Sequence, residues 1–268
     1  MMVDFSVALA DAQIVGDRRG SGKHPLVLIH GFGGSRYDWD TVCAGLPPEL
    51  SLLRYDQRGF GDSGLPLVPY SHADDLAALL DSLGIAKADV CGMSLGGGTA
   101  LSFALDRPHR VRRLVLVSPL IAGWNWSEDW VARWKAIGRN ARNGDMEGAR
   151  ALWLDHPLFA QVRGTSEETT LRQSVARFHG QQWIEDPAKP ALPDVERLHE
   201  LSVPTLLLTG ERDMADFRSI AHLIAGTAPH VERLDFKDAG HMLPLERPGS
   251  LARAISKFLA HYSQLINQ

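Results

Sequence analysis

The chain has 268 residues, of which 44% are hydrophobic and 22% are charged, and its formal net charge is −4. This balance lacks the basic surface typical of nucleic-acid-binding proteins, so we expect no nucleic-acid partner. No apolar stretch approaches the roughly 18 residues of a membrane span, and the N-terminus shows no signal-peptide pattern. We therefore expect a soluble, cytoplasmic protein with no membrane partner, in which Cys43 and Cys91 stay reduced.

Short apolar runs alternate with amphipathic segments along most of the chain, which predicts a mostly parallel central sheet flanked by helices. The predicted strands are Val3–Leu9, Ala12–Asp17, Pro25–His30, Ser51–Tyr55, Ala88–Met93, Arg113–Val117, Pro204–Thr209 and Val231–Phe236. The predicted helices are one capped by Ser71 and ended by Gly84, then Leu95–Leu105, Phe217–Ile224 and Leu251–Tyr262.

Residues 120–201 contain no convincing strand pattern and are too long for a loop, so they predict a helical cap inserted into a core of residues 1–119 and 202–268. The Pro-rich segment Asp186–Pro193 is interpreted as the return linker. The insertion carries six of the seven tryptophans, namely Trp124, Trp126, Trp130, Trp134, Trp153 and Trp183. Such residues form either the core of the insertion or a substrate pocket, and we expect Trp124, Trp153 and Trp183 to bind substrate.

Two glycine-rich turns follow predicted strands. Gly92–Gly96 fits G-x-S-x-G between a strand and a helix, the setting of a nucleophile elbow, which makes Ser94 the candidate nucleophile. The turn His30–Gly34 would place the N–H of Phe32 near the same site, where it forms an oxyanion hole with the N–H of Leu95. His30 itself is interpreted as a structural histidine because it lies at a strand end.

The sequence resembles the α/β-hydrolase superfamily along nearly its whole length outside the insertion. The matching segments are His30–Gly34, Tyr55–Ser63, Gly92–Gly97, Leu208–Asp213 and Ala239–Met242. The resemblance implies the chain order Ser, Asp, His and hence a triad of Ser94, Asp213 and His241. Asp216 is the rival acid and is expected to cap the following helix, while Arg58 and Asp62 are expected to be scaffolding.

Within the superfamily the chain looks like the small bacterial carboxylesterase, enol-lactonase and C–C bond hydrolase group. We expect a serine hydrolase that cleaves a small, partly apolar ester or lactone through an acyl-enzyme at Ser94, with no cofactor and no metal. One alternative is a C–C bond hydrolase or lyase-like enzyme acting on a dienoate or β-diketone, and a second is a slow-turnover ligand receptor with a retained triad. The cationic residues that could hold a dienoate are scattered among acids in the insertion: Arg133, Arg139, Arg163, Arg172 and Arg177.

Overall fold

The computed structural model describes residues 1–9, 11–189 and 191–266 of the chain, with side chains described up to residue 261. Its strands are β1 Val3–Leu9, β2 Ala12–Arg19, β3 Leu26–Ile29, β4 Leu52–Tyr55, β5 Ala88–Met93, β6 Val111–Val117, β7 Thr205–Gly210 and β8 Val231–Phe236. They form one sheet of eight strands in the order β1-β2-β4-β3-β5-β6-β7-β8. Only the β1–β2 and β2–β4 pairs are antiparallel, and all other neighbours run parallel.

Helices cover both faces of the sheet. They are α1 Asp40–Gly45, α2 His72–Ser82, α3 Leu95–Asp106, α4 Glu128–Arg142, α5 Met146–Leu154, α6 Glu168–Arg177, α7 Gln181–Ile184, α8 Asp194–Arg197, α9 Ala215–Thr227, α10 Leu243–Glu246 and α11 Pro248–Ile266. Because helices pack on both faces, strands β3, β4, β5 and β7 are buried along their whole length. Buried parallel strands need continuous apolar runs, which explains why the sequence revealed them clearly.

The predicted α/β-hydrolase fold is confirmed, and the predicted strands differ from the observed ones by no more than two residues at either end. The largest difference for a helix is at the C-terminus, where α11 begins at Pro248 rather than Leu251 and runs to Ile266. Ser71 caps α2 as expected, since its hydroxyl accepts a hydrogen bond from the Asp74 N–H at 3.3 Å.

Residues 120–201, called the insert below, lie between β6 and β7 and contain helices α4 to α8. No strand occurs in the described part of the insert, where a single bridge pairs Tyr70 with Ala188. Its apolar side chains form a cluster that also includes Phe60 and Phe217 from outside the insert. Pro190, in the predicted return linker, lies outside the described residues.

None of the helices in the described part of the chain combines the length and the apolar character that crossing a membrane requires. Cys43 and Cys91 are buried and form no disulfide. Burial raises the pKa of the Cys43 thiol to about 11, so this thiol is protonated and poorly reactive at neutral pH.

Candidate active site

The residues predicted to carry the chemistry lie at the carboxyl edge of the parallel sheet. Phe32 follows β3, Ser94 follows β5, Asp213 follows β7 and His241 follows β8. In open α/β sheets, this edge is where ligands bind. Parallel strands all end at the same edge, so residues far apart in the sequence come together there.

Ser94 occupies a tight turn between β5 and α3. Its backbone has φ +52° and ψ −115°, a left-handed conformation that is strained for a residue with a side chain. A Cβ atom at Gly92 would lie 2.0 Å from the Gly96 carbonyl oxygen, and one at Gly96 would lie 2.4 Å from the Ile29 carbonyl oxygen. Both glycines are therefore required for α3 to start so close to the sheet.

His241 and Asp213 form a buried hydrogen-bonded pair. The Nδ1 of His241 lies 2.9 Å from Oδ2 and 3.1 Å from Oδ1 of Asp213. Because a carboxylate only accepts hydrogen bonds, Nδ1 carries the proton and Nε2 has a free lone pair. This Nε2 is buried and has no hydrogen-bond partner among the described residues, so it is available as a base.

Asp213 is fixed further by the Met214 N–H, which donates to its Oδ1 at 2.7 Å. The ring of His241 packs against Phe217, with 4.3 Å between ring centroids. The imidazole is thus held by a carboxylate on one edge and by an aromatic face, and both partners come from the segment after β7.

Asp216 does not cap the following helix, so that prediction is wrong. Helix α9 begins at Ala215 after Met214, with no side-chain cap, and Asp216 lies within its first turn. Its carboxylate instead accepts hydrogen bonds from the hydroxyl of Ser127 at 2.6 Å and the indole N–H of Trp124 at 3.1 Å. Because both donors belong to the insert, the carboxylate of Asp216 joins the start of α4 to the start of α9.

The two predicted oxyanion donors border the same cavity as Ser94 and His241. Leu95 is the first residue of α3, so its N–H has no acceptor within the helix. Phe32 lies in the glycine turn after β3, and its ring contacts insert aromatics with centroid distances of 4.9 Å to Trp134 and 5.3 Å to Phe178. Within the described residues neither N–H donates to another protein group.

His30 uses both of its ring nitrogens in structural hydrogen bonds. Its Nε2 accepts from the Gln57 N–H at 3.0 Å, so Nδ1 carries the proton and donates to the Gly31 carbonyl at 2.7 Å. The side chain is fully buried. These contacts join the ends of β3 and β4 and leave no ring nitrogen of His30 free for catalysis.

Arg58 and Asp62 make ion pairs away from this cavity. Arg58 forms a two-pronged pair with Asp75, at 2.8 and 2.7 Å, and Asp62 lies 2.9 Å from Arg36. Neither side chain borders the cavity, which agrees with the scaffolding role expected for them.

The cavity between the sheet edge and the insert has a volume of about 470 Å³. Aromatic side chains dominate its wall. Trp126 and Trp130 stack with centroids 4.2 Å apart, and Trp134 lies parallel to Trp130 at 6.1 Å. Phe217 contacts both Trp130 and His241, so the aromatic wall is continuous from the insert to the candidate base.

Of the three tryptophans predicted to bind substrate, only Trp153 borders the cavity. Trp124 packs against the core beside the sheet and donates to Asp216, while Trp183 is buried behind Phe178 and Trp153. The lining instead contains Trp126, Trp130 and Trp134, which sequence reasoning did not select. The spacing of four residues between Trp130 and Trp134 was the available signal, because it places both side chains on one face of α4, whereas Trp126 precedes that helix.

Charged side chains are few in the cavity wall. Besides the candidate base, they are Asp38, Lys135 and Asp186, and the last two are exposed to solvent. None of the five insert arginines considered for a dienoate borders it. Arg133 and Arg172 pair with acids on their own helices, and Arg163 donates to the Leu154 and His156 carbonyls.

Among the described residues, no three or more His, Cys, Asp or Glu side chains are grouped so that they could hold a metal ion.

Comparisons with known proteins identify the family of the chain. The family model described as the alpha/beta hydrolase fold matches residues 24–248. The chain is 28% identical over 272 residues to a Bacillus subtilis protein provisionally named 2-succinyl-6-hydroxy-2,4-cyclohexadiene-1-carboxylate synthase, covering 96% of this chain and 98% of the relative. It is also 28% identical over 253 residues to carboxylesterase YbfK of the same organism, covering 87% of this chain and 79% of that protein.

Among solved structures, the enol-lactonase from Burkholderia xenovorans LB400 is similar, with a TM-score of 0.82 and 25% identity. The match covers 95% of this chain and 99% of that one. The chain is therefore a hydrolase that belongs to the α/β-hydrolase fold family.

Proposed function

We propose that the protein is a serine hydrolase that cleaves small, largely apolar carboxylic esters or lactones through an acyl-enzyme at Ser94. The observation that carries this proposal is the free Nε2 of His241, which is buried beside the same cavity as Ser94 while Nδ1 is bound to Asp213. The carboxylesterase and enol-lactonase relatives support the same class of reaction.

The reaction follows from the roles of these groups. His241 takes the proton from the hydroxyl of Ser94 as its oxygen attacks the carbonyl carbon, and Asp213 stabilises the imidazolium that forms. The negative oxygen of the tetrahedral intermediate accepts hydrogen bonds from the N–H groups of Phe32 and Leu95. His241 then protonates the leaving alcohol, and water, deprotonated by the same residue, releases the acid.

The insert acts in this proposal as a cap over the site. Contacts with the rest of the chain support that role: Ser127 donates a hydrogen bond to Asp216, and the ring of Phe32 packs against Trp134 and Phe178. The tryptophans of the insert also form part of the cavity wall. An apolar wall with few charged groups suits an uncharged, partly aromatic substrate. It also limits water around the reacting carbonyl, which strengthens the hydrogen bonds made there.

A second candidate function is C–C bond cleavage or a related elimination, which the synthase relative favours. Such enzymes bind an acidic dienoate and need cationic groups or strong donors to hold it. Among the described residues, the cavity wall holds one cation, the exposed Lys135, and the insert arginines lie elsewhere. This scarcity of cations in the cavity wall favours the ester reaction over C–C bond cleavage.

The nucleophile is tested by covalent labelling. An aryl phosphonate probe should add one group per chain at Ser94, detected by mass spectrometry, and Ser94→Ala should remove all labelling. Ser102→Ala is the matched control, since Ser102 is a buried serine on α3, the helix that follows Ser94, and its hydroxyl donates to Asp194 outside the cavity. Labelling that survives in Ser94→Ala contradicts the proposal.

The reaction type is tested on one enzyme preparation. We expect kcat/KM for short-chain aryl esters or enol-lactones to exceed that for dienoic β-diketones. A dienoate preferred by a factor of ~100, equal to about 2.7 kcal/mol of transition-state stabilisation, would overturn the assignment in favour of C–C cleavage.

A further inference from the structure

Asp38 is a carboxyl group in the wall of the cavity that the proposed reaction does not use. It belongs to the single helical turn Arg36–Trp39, which follows the glycine turn after β3. Its Oδ2 accepts from the Ser35 N–H at 3.2 Å, and its Oδ1 accepts from the hydroxyl of Ser174 at 3.1 Å. Since Ser174 lies on α6 of the insert, the carboxyl is held from both sides of the cavity.

The carboxyl also lies directly against the turn that carries the candidate oxyanion donor. A Cβ atom at Gly34 would be only 1.9 Å from Oδ2 of Asp38. The carboxyl therefore occupies space that a side chain at position 34 would fill, and two hydrogen bonds hold it there. A substrate that fills the cavity to this end meets a rigid acidic group.

Among the described residues, no cationic side chain forms an ion pair with the Asp38 carboxyl. The charged or titratable groups that act on it are His30 and Asp56, and both ring nitrogens of His30 are used as in a neutral imidazole. Asp56 is itself paired with Arg36. Burial raises the pKa of Asp38, while the bonds from Ser35 and Ser174 favour its ionised form.

We propose that Asp38 makes the cavity select against substrates that carry a carboxylate, so that the natural substrate is an uncharged ester. This inference rests on the proposed ester hydrolysis and adds the charge class of its substrate. Two carboxylates that share a site of low dielectric cannot both stay ionised without a large cost. Asp186 and Lys135 are exposed, so water and salt screen their effect on a bound substrate.

The test uses two rigid esters of equal shape, methyl 4-carbamoylbenzoate and methyl 4-carboxybenzoate, which differ in a remote amide or carboxylate. We expect the wild-type enzyme to prefer the amide by at least about tenfold in kcat/KM, equal to about 1.4 kcal/mol. Asp38→Asn should reduce this preference to within about threefold, because an amide keeps the shape but loses the charge. Its oxygen can accept from the Ser35 N–H, while its NH2 group donates to the Ser174 hydroxyl.

Asp186→Asn is the matched control, since it makes the same chemical change at an exposed position of the same cavity. It should leave the preference as in the wild type. Each comparison is the ratio of the kcat/KM values of one variant for the two esters, so a smaller fraction of folded enzyme lowers both values equally and leaves the ratio unchanged. Equal kcat/KM values for the two esters, a preference that persists in Asp38→Asn, or a preference lost in Asp186→Asn would each overturn the inference.

Failure of the proposed function would look different. If neither ester is cleaved in a manner that depends on Ser94, the hydrolase proposal fails, and binding of the same pair to Ser94→Ala decides the inference. By isothermal titration calorimetry, tighter binding of the amide that disappears when Asp38→Asn is added supports the inference. Equal affinities, or tighter binding of the acid, contradict it.

Discussion

The sheet edge and the insert contribute to one cavity in different ways. At the sheet edge, hydrogen bonds, glycine contacts and a strained backbone at Ser94 fix each polar atom. In the insert, the wall is made of large rings that contact one another face to face or edge to face, without hydrogen bonds between them. In the proposed reaction, the chemistry depends on backbone geometry at the edge, whereas the size and shape of the substrate depend on the rings of the insert.

The largest effect should come from the acid that orients the base. Asp213→Asn should lower kcat by a factor on the order of 10⁴, because an amide opposite Nδ1 favours the wrong imidazole tautomer. Asp216→Asn changes the same chemical group three residues further on and should lower kcat by less than about tenfold, since Asp216 contacts the insert rather than His241. Steady-state kinetics of both variants decide, and a larger loss in Asp216→Asn would exchange the two roles.

The next effect concerns specificity. Trp130→Leu should change the ratio of kcat/KM between aryl and short alkyl esters by about 10- to 100-fold, because Trp130 forms the cavity wall. Trp183→Leu removes an equally large ring that lies outside the wall, so it should lower stability and leave this ratio unchanged. If both variants lose stability and neither changes the ratio, the tryptophans serve only as core of the insert.

A smaller effect is expected where the two regions are joined. The hydroxyl of Ser127 caps α4 by accepting a hydrogen bond from the Trp130 N–H, and it donates a hydrogen bond to Asp216. Ser127→Ala removes both hydrogen bonds. We expect a loss of about 1–2 kcal/mol in the free energy of unfolding. Urea unfolding measures it, with Ser166→Ala as the control at an exposed position of the insert. Equal losses in the two variants would show that the contact with Asp216 contributes nothing.

The smallest effect is a pH dependence of stability in the insert. His156 is buried, and desolvation lowers its pKa to about 4. Its unfolded form titrates near pH ~6.5, so between these values the unfolded chain binds more protons and stability falls as the pH falls. His156→Asn keeps an acceptor for the Leu158 N–H and should reduce this loss.

Urea unfolding at pH 7, 5 and 4 provides the measurement. His199→Asn is the control, because the side chain of His199 is 68% exposed. An unchanged pH dependence in His156→Asn would show that other groups account for the acid sensitivity, such as the half-buried His72, whose pKa desolvation lowers to about 3.

The structure of the sheet edge could be predicted from the sequence more closely than that of the insert, and the reason is physical. Strands buried on both faces and turns that require glycine leave local signals, so β3, β5 and the turn at Ser94 were readable residue by residue. The position of a side chain in the insert depends on packing between helices distant in sequence. Trp124 and Trp183 were therefore selected although they lie outside the cavity wall, and Asp38 was not noticed.

The wrong prediction for Asp216 also results from a tertiary contact that the local sequence does not reveal. Its place near a helix start predicted a local cap, but donors 89 and 92 residues earlier in the chain use its carboxylate instead. Tertiary contacts of this kind override local preference and leave no trace in a short sequence window.

The nearness of Asp213 and Asp216 has a consequence for protein engineering. Within a single turn of chain, one carboxylate holds the imidazole and the other anchors the insert through Ser127. A chimaera that receives a foreign insert without a donor at this position would leave a mostly buried carboxylate unpaired next to the segment that positions the imidazole. Grafting new specificities onto this scaffold should therefore transplant residues 124–127 together with Asp216 as one unit.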